Sequence, residues 1–197
     1  MTTPIFNLTM EQGAYFTQTW NWYGGGKQMA PIEDITIGYP TVLKVTGHGL
    51  PTVSDTPVIV SGVDGIDDLN SRNTGIELAA RIDANTFSLP VSSVAHIWTP
   101  GTGEITWYAP ATITGYTARC TIRKNWHTST PIVVLTSAGG GCVVTEADAS
   151  VQIIVSAAAT TAFDFVDAVY DIEMVPPAGD IVRLVMGNIH LSREMTT

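Results

Sequence analysis

Short runs of alternating apolar and polar residues, broken by glycine and proline, fill most of the chain. Tyr15, Thr17, Thr19 and Asn21 alternate with Phe16, Gln18, Trp20 and Trp22, the period of two that sends successive side chains to opposite faces of a strand. An earlier strand-like stretch starts at Ile5 and is set off by the turn signal Glu11-Gln12-Gly13; Gly24-Gly25-Gly26 then reads as a hairpin or flexible loop. Tyr116 to Arg123 alternates as clearly. It puts Tyr116, Ala118, Cys120 and Ile122 on one face and Thr117, Arg119, Thr121 and Arg123 on the other. Strands are also expected at Pro131–Thr136 and Val151–Val155, with Gly139-Gly140-Gly141 as a loop between them. Val166–Val175 and Ile181–Leu191 form a hairpin around Pro176-Pro177-Ala178-Gly179-Asp180. The one helical turn expected is Ser156–Phe163, capped by Ser156 and too short to be more than a connector.

The segment between these outer parts has a different texture. Five short β runs (Thr41–Thr46, Pro57–Ser61, Gly75–Ile82, Thr86–Leu89 and Glu104–Tyr108) are separated by tight turns at Gly47-His48-Gly49, Asp64-Gly65, Asp83-Ala84-Asn85 and Pro100–Gly103. Spacing of this kind suits a small barrel or sandwich. The two N-terminal strands are too few to be stable alone; joined to the C-terminal strands they give about seven, the number of an immunoglobulin-like sandwich. The expected architecture is therefore a discontinuous immunoglobulin-like β-sandwich, 1–32 plus 111–197, with a small β-barrel-like domain inserted at 33–110.

Composition agrees with an all-β chain. Val, Ile and Thr make up 64 of 197 residues and Leu only nine, and β-branched side chains favour the pleated surface over the helix. Nine Lys and Arg stand against eighteen Asp and Glu, a net charge of −9. That disfavours nucleic acid as a partner, because binding phosphates requires basic side chains to displace counterions. No apolar run approaches the ~18–20 residues of a membrane span. Met1–Met10 has neither a positive charge nor an apolar block and is not read as a secretory signal.

Candidate chemistry is sparse. His48 lies in its glycine turn without a neighbouring carboxylate or nucleophile in sequence, so capping of backbone groups is the expected role. Asp64, Asp67 and Asp68 lack the order and distal Glu of a calcium loop, and turn chemistry explains Asp64-Gly65. Asp164, Asp167 and Asp171 read as a solvated acidic face. No nucleophile elbow or phosphate-binding loop occurs, and the glycine triplets lack the Lys and helix start of a phosphate cradle. Catalytic, cofactor and metal sites are accordingly not expected, and two cysteines are too few for a disulfide scaffold or a zinc site. The tryptophans are the interface candidates. Trp20 and Trp22 share one strand face, where core packing explains them equally well; Trp98 and Trp126 lie in or beside loops.

Two resemblances cover the chain, one for each expected domain. The outer segments carry Thr114-Gly115-Tyr116-Thr117-Ala118-Arg119, Ile122-Arg123, Tyr170-Asp171-Ile172-Glu173, Gly179, Arg183-Leu184, Gly187 and Leu191-Ser192-Arg193-Glu194-Met195-Thr196. They resemble a sandwich of tailed-bacteriophage structural proteins, in particular the N-terminal domains of upper-baseplate proteins that attach receptor-binding modules to a tail. The middle segment carries Val45-Thr46-Gly47-His48-Gly49-Leu50, Val60-Ser61-Gly62-Val63-Asp64-Gly65, Leu69-Asn70 and Asp83-Ala84-Asn85-Thr86-Phe87-Ser88-Leu89. It is similar to the FCCH-type β domain first named in ubiquitin-activating enzymes and also found in phage tail proteins; no ubiquitin chemistry is implied. The resemblance implies a non-enzymatic virion protein, a tail or baseplate adaptor in several symmetric copies, partnered by baseplate-core and fibre proteins. Assembly in the bacterial cytoplasm would leave Cys120 and Cys142 as free buried thiols. A head-decoration or head-fibre protein is the nearest alternative. A carbohydrate-binding module for host surface glycans comes from another class, and a glycan hydrolase is a weaker third reading, because its paired carboxylates are not locatable.

Overall fold

The computed structural model describes residues 3–50, 55–71 and 77–193. The chain divides into two compact units, Met1–Trp22 with Ile113–Thr197, and Tyr23–Thr112. In chain order the strands begin with β1 (Leu8–Glu11) and β2 (Phe16–Asn21) of the outer unit. The inner unit supplies β3 (Lys27–Pro31), β4 (Asp34–Thr36), β5 (Thr41–Lys44), β6 (Thr56–Ser61), β7 (Glu77–Arg81), β8 (Thr86–Leu89) and β9 (Glu104–Tyr108). The outer unit resumes with β10 (Thr117–Arg123), β11 (Val133–Thr136), β12 (Cys142–Thr145), β13 (Ser150–Val155), β14 (Asp167–Val175) and β15 (Val182–Ser192). A five-residue helix, α1 (Ala157–Thr161), lies between β13 and β14. The chain is all-β. The start of the expected 75–82 strand, and Glu194-Met195-Thr196 of the closing motif, fall outside the described residues.

The outer unit has a five-stranded sheet, β1-β15-β14-β10-β11, and a three-stranded sheet, β12-β13-β2. Alternation in β10 does what its period requires: Ala118, Cys120 and Ile122 are buried, together with Tyr170, Ile172 and Met174 of β14 and Val151, Ile153 and Val155 of β13. The β14–β15 hairpin forms at the expected turn, with a bulge between Ile172 and Glu173. β1 joins the far side of β15 in parallel, Leu8 opposite Ile189. Ser156 caps α1, its side chain accepting from the Ala159 N–H at 3.2 Å.

The inner unit is one curled sheet, β3-β9-β6-β7-β8-β5-β4. Its two end strands are consecutive pieces of one bent segment. β3 pairs with β9, the Ile32 N–H donates to Gly103 O, and the Glu33 N–H donates to Lys44 O where β4 begins to pair with β5. Leu43, Val58, Val60, Ile66, Leu69, Phe87, Leu89 and Ile105 fill the centre. Expected turns appear with their side-chain bonds: Asp83 Oδ1 accepts from the Asn85 and Thr86 N–H groups, and Asn70 exchanges two bonds with the Val63 backbone. Sequence texture placed 23–32 with the outer domain; pairing places it in the inner unit, because Lys27–Pro31 extends the ladder of Glu104–Tyr108. Nor is the Gly24–Gly26 triplet a hairpin of its own. The Gly25 N–H donates to Ala109 O and the Ala109 N–H to Gly26 O, continuing that same ladder.

Candidate docking surface

The outward face of β10 carries Thr117, Arg119, Thr121 and Arg123, opposite Val175, Glu173, Asp171 and Val169 of β14. The bulge in the hairpin brings Arg183 of β15 opposite Glu173. A charged network results. Arg119 Nε bonds Glu173 at 2.6 Å, and Arg183 reaches Asp171 at 3.2 Å and Glu173 at 3.6 Å. Asp171 is buried, which raises its carboxyl pKa above the ordinary value; Arg183, Arg123 and Arg119 oppose the shift and Glu173 adds to it. Arg123 differs from its two neighbours. Its Nε is buried with no hydrogen-bond partner, and no carboxylate pairs with it among the described residues.

Apolar side chains border this network on the edge strand. Ile132 and Val134 are exposed, Val134 lying opposite Thr121. In the loop after β10, Asn125 Oδ1 accepts from the His127 N–H and the Thr128 hydroxyl, both at 2.9 Å. That local turn presents Trp126, 49% exposed. Arginine and tryptophan are among the residue types enriched at interface hot spots.

The other candidate tryptophans are placed differently. Trp20 is half-buried between Phe6 and Tyr170, with ring centroids 6.1 Å from each, and its Nε1 is enclosed with no hydrogen-bond partner among the described residues. Trp22 sets an edge against Tyr116 at 6.0 Å. Trp98 packs against the inner core and donates Nε1–H to Thr102 O at 3.1 Å. Of the four, Trp126 alone is exposed.

The reactive side chains are engaged locally. His48 Nδ1 accepts from the Leu50 N–H at 3.0 Å, which leaves the proton of the neutral ring on Nε2, facing Thr86 O at 3.4 Å. Its ring stands edge-on to Phe87 at 5.5 Å. Asp64 accepts from the Thr99 hydroxyl at 3.0 Å, a loop clasp. Asp167 meets His190 Nδ1 at 3.0 Å, so the three expected acidic residues are divided: Asp171 belongs to the arginine network. Cys120 and Cys142 are free and buried. Among the described residues no group of three or more His, Cys, Asp or Glu is arranged to hold a metal, and no helix is long and apolar enough to cross a membrane.

The sequence puts Arg119 and Arg123 together on the strand face opposite Cys120, without the network that Arg119 joins. Alternation in β10 was the available signal, whereas Arg183 enters only through the bulge. No family model matches the chain, and no curated protein matches it.

Proposed function

We propose that the chain is a non-enzymatic structural component of a tailed-phage virion, a tail or baseplate adaptor. In this reading the outer unit is the immunoglobulin-like docking domain and the inner unit the FCCH-like domain it projects. The particle core and fibre proteins are its partners, in several symmetric copies. The observation that carries the reading is the outward face of the five-stranded sheet, where Ile132 and Val134 border Arg119, Arg123 and Arg183, together with the exposed Trp126 in the loop that follows Arg123. Such a face suits a protein partner: the apolar border supplies burial and the arginines fix orientation. A glycan platform would use several exposed aromatic faces, and only Trp126 of the four candidates offers one.

A density map of the particle, with immunogold labelling of purified virions, tests this. The expected result is the chain in the tail or baseplate with this face buried against a neighbour. Trp126→Ser should reduce incorporation into particles while the isolated chain melts as before. Absence of the chain from purified virions overturns the reading; its presence with the Trp126 face in solvent overturns the docking assignment.

A further inference from the structure

Across β3, β9, β6 and β7 the outer face of the inner unit's sheet is apolar where a solvated face is ordinarily polar. Val58, Val60, Ala79, Ile105 and Trp107 point inward and are buried. Pairing puts Met29 and Ile59 on either side of Thr106, and Leu78 opposite Pro57. Met29, Tyr108, Leu78 and Ile59 are 55%, 53%, 51% and 42% exposed, while Thr106 between its two neighbours keeps only 9%. Met29 and Ile59 therefore close over the threonine, and the apolar surface is continuous. Its charges lie at opposite ends of the β3–β9 ladder. Lys27 is opposite Tyr108 at one end, and Glu104 is opposite Pro31 at the other. Neither has an ion-pair partner among the described residues, whereas Lys44 and Glu33 of the same unit pair at 3.3 Å.

We infer that this face pairs two copies of the chain, face to face, about a two-fold axis lying across the strands. An apolar centre with one cation and one anion at opposite ends is self-complementary under such an axis. Reversing the strand direction sets Lys27 of each copy against the Glu104 end of the other. An unlike partner would not need both signs on one patch. The face covers on the order of 300 Å² per copy, below the roughly 800 Å² per partner of a standard interface. The contact is correspondingly weak in isolation and gains strength where copies are already held together. It is a property of the isolated chain and stands or falls without the adaptor reading.

Sedimentation equilibrium of the full chain, from micromolar to near-millimolar concentration, tests it. A reversible monomer–dimer equilibrium is expected; a monomer throughout overturns the proposal. Ile59→Arg should abolish the dimer, and the milder Met29→Gln should weaken it about tenfold, with melting curves recorded for both. Should Ile59→Arg fail to fold, Met29→Gln and the charge series carry the test. Lys27→Glu and Glu104→Lys should each weaken association, and the double variant should restore it. A dimer indifferent to these changes, or single reversals that the double variant does not rescue, overturns the assignment. On the wild-type chain, zero-length carbodiimide coupling in a mixture of isotope-labelled and unlabelled copies should join Lys27 of one to Glu104 of another. Coupling between copies only at other residues counts against it.

Discussion

His48 sits in its turn between Gly47 and Gly49, both at positive φ (67° and 64°), a conformation open to glycine and strained for other residues. Burial holds its pKa below the usual 6.5; Arg81 adds to the shift, while the Thr86 and Asp83 contacts oppose it. The unfolded chain therefore takes up the proton before the folded one does. Stability is full above the unfolded value and is lost as pH falls from about 6.5 toward the folded pKa. The denaturation midpoint of the inner unit should drop over that window, and His48→Asn should flatten the dependence, since an amide oxygen can accept from the Leu50 N–H without titrating. A midpoint in the wild type that does not move with pH contradicts this. The cysteines follow the same physics with another sign. Burial pushes Cys142 up to about 11 and Cys120 higher still, so neither supplies thiolate at neutral pH. A disulfide-exchange reagent should leave both unlabelled in the native chain and titrate both after denaturation; rapid native labelling would contradict the burial assigned to them.

Within the five-stranded sheet, a tight constraint lies where the N-terminal segment runs alongside β15. The Tyr170 hydroxyl donates to Phe6 O at 2.8 Å. A Cβ on Gly187 would collide with that same Phe6 carbonyl and come within 3.2 Å of the Tyr170 ring. Gly187→Ala should therefore cost about 2 kcal/mol or more in chemical denaturation, and Tyr170→Phe about 1 kcal/mol for the lost bond. An alanine variant as stable as wild type would mean the Phe6 segment is not seated there. Elements whose cause is local were legible in sequence: β10 by its period, the β14–β15 hairpin by its proline-glycine turn, α1 by Ser156. Elements whose cause is distant were not. Lys27–Pro31 reads K-Q-M-A-P, with no alternation to announce a strand, and it exists because Glu104–Tyr108 lies beside it. The parallel seat of β1 on β15 joins the two ends of the chain, and no local pattern encodes it. The same holds for the docking face: Arg119 and Arg123 follow from period two, but the pairing of Arg119 with Glu173, and the arrival of Arg183, depend on register and a bulge.

At the scale of the whole chain, the division into units makes a prediction about independence. Each unit closes its own sheets: among the described residues every strand pairing of β3 to β9 is made within Tyr23–Thr112, and every pairing of the remaining strands within the outer segments. The inner unit carries its own buried cluster, from Ile32 to Trp107. In the outer unit, Trp22, the last residue before the inner segment, contacts Tyr116, three residues after the chain returns at Ile113. The two cut ends are therefore neighbours in the fold, and a short Gly-Ser linker spans them. Loop-closure entropy changes only with the logarithm of loop length, so replacing 23–112 by that linker carries little entropic penalty. The variant lacking 23–112 should keep a β-type circular dichroism spectrum and melt cooperatively. The isolated 23–112 segment should do the same, since its bent end segment carries β3 and β4 within itself. Cutting at 33–110 instead should fail for the inner piece, because that boundary strips Lys27–Pro31 from β9 and leaves the ladder open. If the 23–112 deletion gave a molten or insoluble product while the full chain behaved well, the two units would share a core, and the boundary drawn at Trp22 and Ile113 would have to be abandoned.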